Sequence, residues 1–155
     1  MINLISHTLI EQPVQQVFDF MSAPENDFQW QYGTLAAARL SEGALAIGAS
    51  FRSIGHLMGQ RNLSTYEVTE YEPNRKYGFR SLSGPLQSQT SYTFEIVNDS
   101  TKVTVSTQAN VGNSFQVTDD NLEEKMKKQL KENLITLKNL LEAEQVLHAL
   151  ENCPR

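Results

Sequence analysis

The side chains best placed to do chemistry are hydroxyls and phenols set among aromatic rings. In runs with strand alternation, Ser64, Tyr66 and Val68 share one phase, as do Tyr77, Phe79 and Ser81, Tyr92, Phe94 and Ile96, and Val103, Val105 and Thr107. A tight core prefers Leu, Ile and Val, whereas a ligand pocket is mostly apolar and aromatic with a few placed polar groups. Two readings stay open on composition alone: the wall of a binding cavity, or ordinary core and rim. Stronger acid–base groups are sparse. His7, His56 and His148 stand far apart, with no metal-ligand spacing. His56 follows Arg52 and Ile54 in phase near the end of a strand, but Phe51, Ser53, Gly55 and Leu57 are equally able to face inward. The strand carboxylates Glu67, Glu70 and Glu95 read as solvent-facing by alternation. There is no G-x-S-x-G elbow, no phosphate-cradling glycine loop and no diagnostic carboxylate pair. No catalytic residue is assigned, and neither a metal nor a cofactor is expected.

The elements that must position these groups read in a definite order. Residues 2 to 10 alternate as a short strand. Pro13 suits the first turn of a helix carrying Val14, Val17, Phe18 and Met21, and Ser22 and Pro24 end it and begin a second short helix with Phe28 and Trp30. Strands follow near 34–41, 49–57, 62–71, 76–82, 87–97 and 102–110. Gly43, Gly48, Gly59 with Asn62, Pro73-Asn74, Gly84-Pro85 and Asn98-Asp99 supply the turns between them. Links this short favour antiparallel neighbours. Asp120 with Glu123 resembles a capping box, and Leu122, Met126, Leu130, Leu134, Leu137 and Leu141 recur at helical spacing.

That last helix, from about 121 to at least 145, is about 37 Å long and exceeds a typical strand of about 17–20 Å. A twisted antiparallel sheet curls, so a straight helix laid in its concave face touches it in places and stands off in others. A hollow between helix and sheet follows. Its candidate wall is Trp30, Phe51, Ser64, Tyr66, Phe79, Tyr92, Phe94 and Val105 on the sheet side and Met126, Leu130 and Asn133 on the helix. Gln129 and Asn133 fit better as the solvent-facing flanks of the stripe.

Composition narrows the partners. The chain has 155 residues and a formal net charge of -5, so its overall field repels phosphate backbones. Nucleic acid is not an expected partner. Lys125, Lys127, Lys128 and Lys131 alternate with Glu123, Glu124 and Glu132 as a solvated helix face. One cysteine, Cys153, excludes an intrachain disulfide. The first ten residues lack a basic n-region, and no apolar run reaches the ~18–20 residues of a membrane span. A cytoplasmic protein without stable membrane insertion is expected; oligomeric state is not legible.

Pro13-Val14-Gln15-Gln16-Val17-Phe18, Trp30, Gly48-Ala49-Ser50-Phe51, Glu67-Val68-Thr69-Glu70-Tyr71-Glu72-Pro73, Ser83-Gly84, Tyr92-Thr93-Phe94 and Ser100-Thr101-Lys102-Val103-Thr104 occur in this order. With Leu137-Lys138-Asn139-Leu140-Leu141-Glu142 they resemble the START-like (SRPBCC) superfamily of polyketide cyclases/dehydrases and lipid-transport proteins over roughly residues 1 to 145. The resemblance implies an α+β helix-grip fold. A curved antiparallel sheet of about seven strands wraps a long C-terminal helix, with two short helices after the first strand. The domain expected is 1–145, with 146–155 as a tail or helix extension. A small hydrophobic molecule, lipid-like or polyketide-like, is the implied partner in an internal cavity. The alternatives are a cyclase, aromatase or dehydratase using that cavity, and a protein-interaction module acting through the tail or outer sheet face.

Overall fold

A computed structural model describes residues 1–57, 59–111 and 121–151, and for residues 111 and 144–151 the backbone only. The chain runs β1 (Ile2–Ile10), α1 (Val14–Met21), a 3-10 helix (Pro24–Gln29), β2 (Thr34–Arg39), β3 (Ser50–Leu57), β4 (Gln60–Glu72), β5 (Lys76–Ser83), β6 (Leu86–Val97), β7 (Ser100–Val111) and α2 (Leu122–Glu151). The seven strands form one sheet in the order β1-β7-β6-β5-β4-β3-β2, with every neighbouring pair antiparallel. This is the helix-grip arrangement expected from the sequence. Asp120, half of the expected capping box, and Cys153 lie outside the described residues, as does the side chain of His148.

The turn chemistry explains the hairpins. Asn74 and Asn98 adopt positive φ, as do Gly43, Gly48, Gly59 and Gly84. In the β6–β7 hairpin Val97 pairs with Ser100, so Asn98-Asp99 forms a two-residue loop in which Asn98 tolerates the left-handed conformation. Register shifts interrupt β2 against β3 between Thr34 and Ala36, and β4 against β5 between Thr65 and Tyr66 and between Val68 and Glu70. Such bulges bend the strands that carry them and increase their local twist.

The concave face holds the core. Ile10, Val68, Tyr77, Val103 and Val105 from the sheet meet Val17, Phe18 and Met21 from α1 and Leu134, Leu137 and Leu141 from α2. The Phe18 ring stands edge-on to Phe94 (5.1 Å) and to Tyr71 (5.6 Å), which plugs one end of the bowl. Hydrogen bonds lock the same end: Thr101 Oγ1 donates to the Gln12 carbonyl (2.8 Å), and Gln12 Nε2 donates to the Leu141 carbonyl (2.8 Å). Lys138 Nζ donates to the Leu9 carbonyl (2.7 Å) and pairs with Glu142 (2.6 Å). Among the described residues no helix is long and apolar enough to cross a membrane.

Candidate functional site

The apolar stripe of α2 is used unevenly. Leu134, Leu137 and Leu141 are buried in the core, and Leu122 is buried at the other end, but Met126 and Leu130 between them are only half-buried. The helix is held at both ends and stands off the sheet in between. Beneath this span lies a hollow of about 290 Å³.

Alternation along the strands builds its floor. Ser88, Thr90 and Tyr92 project inward from β6, Val105, Thr107 and Ala109 from β7, Phe79 from β5, Tyr66 from β4 and Leu4 from β1. Cross-strand neighbours match large with small: Tyr92 faces Val105, Phe79 faces Thr90 and Tyr66 faces Ser81. The segment joining the 3-10 helix to β2 contributes Trp30, Gln31, Gly33 and Thr34, and α2 closes the roof with Met126, Gln129, Leu130 and Asn133. A second hollow of about 200 Å³ shares Gly33, Thr34, Leu57, Tyr66, Leu86 and Ser88 with the first and adds Ser53, Gly55, His56, Asn62, Ser64 and Pro85.

Polar groups sit at definite points on this wall. Gln31 Nε2 donates to the Tyr92 hydroxyl (3.3 Å) and Gln31 Oε1 accepts from Thr34 Oγ1 (3.0 Å). The Thr90 and Thr107 hydroxyls bond to each other at 3.1 Å. Asn133 Oδ1 accepts both from Gln129 Nε2 (2.8 Å) and from the backbone N–H of Tyr32 (3.1 Å), tying the 31–34 segment to α2. The indole N–H of Trp30 and the hydroxyl of Tyr77 are buried without a hydrogen-bond partner among the described residues. Trp30 also stands edge-on to Tyr92, with ring centroids 6.0 Å apart.

Burial dominates the electrostatics. It holds the Tyr92 phenol well above its usual pKa; the negative charge of Asp27 acts in the same direction, and the Gln31 hydrogen bond opposes it. Tyr66 and Tyr77 are raised for the same first reason, again with Asp27 adding. These phenols stay protonated at neutral pH and do not act as bases. Asp27, on the 3-10 helix, is 7% exposed, and burial followed by the charge of Glu25 pushes its carboxyl well above the ordinary carboxylate range. Among the described residues no group of three or more His, Cys, Asp or Glu side chains is placed to hold a metal ion.

Of the residues singled out from sequence, Trp30, Tyr66, Phe79, Tyr92, Val105, Met126, Leu130 and Asn133 line the larger hollow and Ser64 lines the smaller. Phe51 and Phe94 do not line either. Phe51 stacks on Tyr66 (5.1 Å) behind the wall, and Phe94 is consumed by its contact with Phe18. The inward phase of β3 is Phe51, Ser53, Gly55 and Leu57, so His56 has the outward phase and is exposed, and it borders the smaller hollow at its rim. Its backbone N–H bonds to the Gly33 carbonyl (2.7 Å). Gly55 is required at this crossing, because a Cβ there would collide with that same Gly33 carbonyl. His7 is exposed on the outer face. Sequence reasoning passed over Thr90 and its pairing with Thr107, Gln31, Thr34 and Asp27. Extending the phase of Tyr92 back by two and four residues reaches Thr90 and Ser88. Nothing in the local sequence marks Asp27 as buried.

Comparison with known proteins fits this architecture. A structure from Thermus thermophilus superposes with a TM-score of 0.75 at 13% identity, covering 92% of this chain and 98% of its own. A START superfamily protein from Mycobacterium smegmatis gives 0.70 at 16% identity, covering 94% and 99%. A di-domain ARO/CYC protein of the BE-7585A biosynthetic pathway gives 0.68 at 15% identity, covering 92% of this chain and 47% of that one. These likenesses are likenesses of fold. No curated protein matches the sequence significantly. The sequence profile described as polyketide cyclase / dehydrase and lipid transport matches residues 1–142, nearly the whole of the gripped sheet and helix, and the chain belongs to that family.

Proposed function

We propose that this protein binds a small, largely apolar molecule in the hollow between α2 and the concave face of the sheet. The observation that carries the reading is the incompletely filled span of α2, where half-buried Met126 and Leu130 border, together with aromatic rings and hydroxyls of the sheet, a hollow of about 290 Å³. That volume is at the lower edge of the ~300–1,000 Å³ of small-molecule pockets, which sets the ligand near one or two rings or a short chain. Burying about 200 Å² of apolar ligand surface supplies about 5 kcal/mol before entropic costs, and micromolar affinity needs about 8 kcal/mol. The remainder must come from polar contacts, for which the unpartnered Trp30 N–H, the Tyr92 hydroxyl and the Thr90–Thr107 pair are available.

Mass spectrometry of an organic extract of the purified protein, with titration of a fluorescent apolar probe, tests the reading. Saturable uptake is expected, with loss of uptake in Leu130→Trp, whose larger ring fills the span from the helix side. A protein that takes up no probe and carries no extractable ligand overturns it.

A second reading, a cyclase- or dehydratase-type enzyme, is favoured by the buried, protonated phenols. Tyr92 is set to donate a hydrogen bond to a substrate carbonyl, while the walls fix the fold of the substrate chain. The ARO/CYC proteins of similar fold make the reading chemically coherent. It predicts that Tyr92→Phe or Tyr66→Phe removes turnover of a poly-β-ketone substrate while probe binding persists.

A further inference from the structure

The wall of the hollow is split between β5 and β6. These strands pair only from Lys76↔Thr93 to Arg80↔Gln89; beyond Arg80, β5 follows β4 and the start of β6 follows β7. The cause is local. On β5, Ser81 pairs with Tyr66 and Ser83 with Thr65, leaving Leu82 as an extra residue that bends the strand toward β4. The hairpin loop leans the same way, since Gly84 approaches Ser64 so closely that a Cβ would collide with the serine hydroxyl. One bond crosses the gap, from the Ser88 N–H to Ser81 Oγ (2.8 Å).

On the outer side of this split lies a basin of about 450 Å³. Leu86 and Ser88 line both the basin and the inner hollow. The basin's floor differs in kind from the hollow's. Gln87 is opposite Asn110 and Gln89 opposite Gln108 across β6 and β7, which makes a ladder of four carboxamides, of which Gln89 donates to Thr69 Oγ1 (3.0 Å); Ser81, Ser83 and Arg80, the last paired with Glu67 (3.4 Å), add donors on the β5 side. Among the described residues no carboxylate lines it. Carboxamides both donate and accept, and so match a group that does the same. The net charge of -5 works against an anion.

We infer that the basin is a second subsite joined to the hollow through the β5–β6 split, and that the ligand is an amphiphile whose apolar body lies inside and whose neutral, hydroxyl-rich head lies in the basin. This inference rests on the proposed binding function and adds to it the class of head group and the passage.

The test compares octyl glucoside with octanol, both below any micelle-forming concentration, using the fluorescence of Trp30, the chain's single tryptophan, as the reporter. Octyl glucoside is expected to bind at least tenfold more tightly than octanol. In Gln87→Leu/Gln108→Leu, confined to the exposed outer face, that advantage falls about tenfold while octanol affinity changes less than twofold. Melting temperatures verify that the variant folds. If octanol binds and octyl glucoside gains nothing, or if the carboxamide variant leaves the advantage intact, the outer subsite is wrong and the inner hollow stands. If neither compound binds the unaltered protein, the binding function itself fails.

Discussion

Leu137→Ala and Leu130→Ala remove the same atoms from the same helix stripe, yet the structure assigns them different costs. Leu137 is fully buried between sheet and helix, so its truncation loses transfer energy and leaves a new cavity, for about 2–5 kcal/mol. Leu130 is half-buried and already borders a void of about 290 Å³. Its truncation enlarges an existing space, and only part of the transfer free energy is lost, about 1 kcal/mol on an area basis. For a chain of this size about 1 kcal/mol corresponds to about 2–4 °C in Tm. A cost of about 3 kcal/mol at Leu137 therefore means a fall of about 6–12 °C, against about 2–4 °C at Leu130. Urea denaturation and thermal melting of the two variants, ligand-stripped, measure the difference directly. Equal costs at the two positions would show that α2 packs as tightly over its middle as at its C-terminal half, and the hollow would have no physical basis.

Other contacts carry consequences of their own. Thr101→Val deletes the buried donor to the Gln12 carbonyl and is expected to cost about 1–3 kcal/mol in urea denaturation, whereas Thr136→Val, on the exposed side of α2, stays within about 0.5 kcal/mol. Gly84→Ala strains a backbone at φ +128° and collides with Ser64, so it costs more than about 1 kcal/mol; adding Ser64→Gly recovers the collision but not the strain, which a double-mutant cycle reads as positive coupling. Asp27 has a folded pKa raised above its unfolded value near ~3.9. Below that value it is protonated in both states; above it the folded protein retains a proton that the unfolded chain has released, so its contribution to stability is lost as pH rises through the folded pKa. Asp27→Asn is therefore expected to gain stability over the parent as pH rises from about 4, and a difference in denaturation midpoint independent of pH would refute the burial of this carboxyl.

The fold was legible because two periodicities and the turn residues agree. Strand parity placed Tyr66, Phe79, Tyr92 and Val105 on one face, and Asn74, Asn98, Gly59 and Gly84, chosen as turn residues, all carry positive φ. Parity does not say how deep a side chain sits. Phe51 and Phe94 have the inward phase of their strands but lie where other rings cover them, Phe94 under Phe18 and Phe51 against Tyr66 and Phe79. Asp27, on a 3-10 helix of six residues, and Gln31, just after it, lie in stretches too short to show a hydrophobic period, so their burial depends on packing against distant strands. The β5–β6 split was equally invisible, because Leu82 reads as one more alternating residue until its partners show that it has none opposite.

The hollow is a property of where α2 is anchored more than of what lines it. Leu122 at one end and Leu134, Leu137 and Leu141 at the other are buried, and Gln12, Thr101 and Lys138 add hydrogen bonds to the second anchor. Between these points Asn133 accepts from the Tyr32 backbone N–H and Glu123 accepts from the Asn3 backbone N–H, both at exposed positions. A helix fixed in this way bridges the bowl whatever side chains stand at positions 126, 129, 130 and 133. Under the proposed binding function those positions are therefore free to change with the ligand, while a change at an anchor alters the fold before it alters any choice of ligand. It follows that Met126→Leu, Leu130→Met and Gln129→Leu shift the preference among apolar probes with little change in Tm. Substitutions at Leu137 or Gln12 lower Tm, and affect probe preference only through the fraction of protein that remains folded. A probe-preference series that tracked Tm instead of the identity of residues 126–133 would refute this separation of anchor from wall.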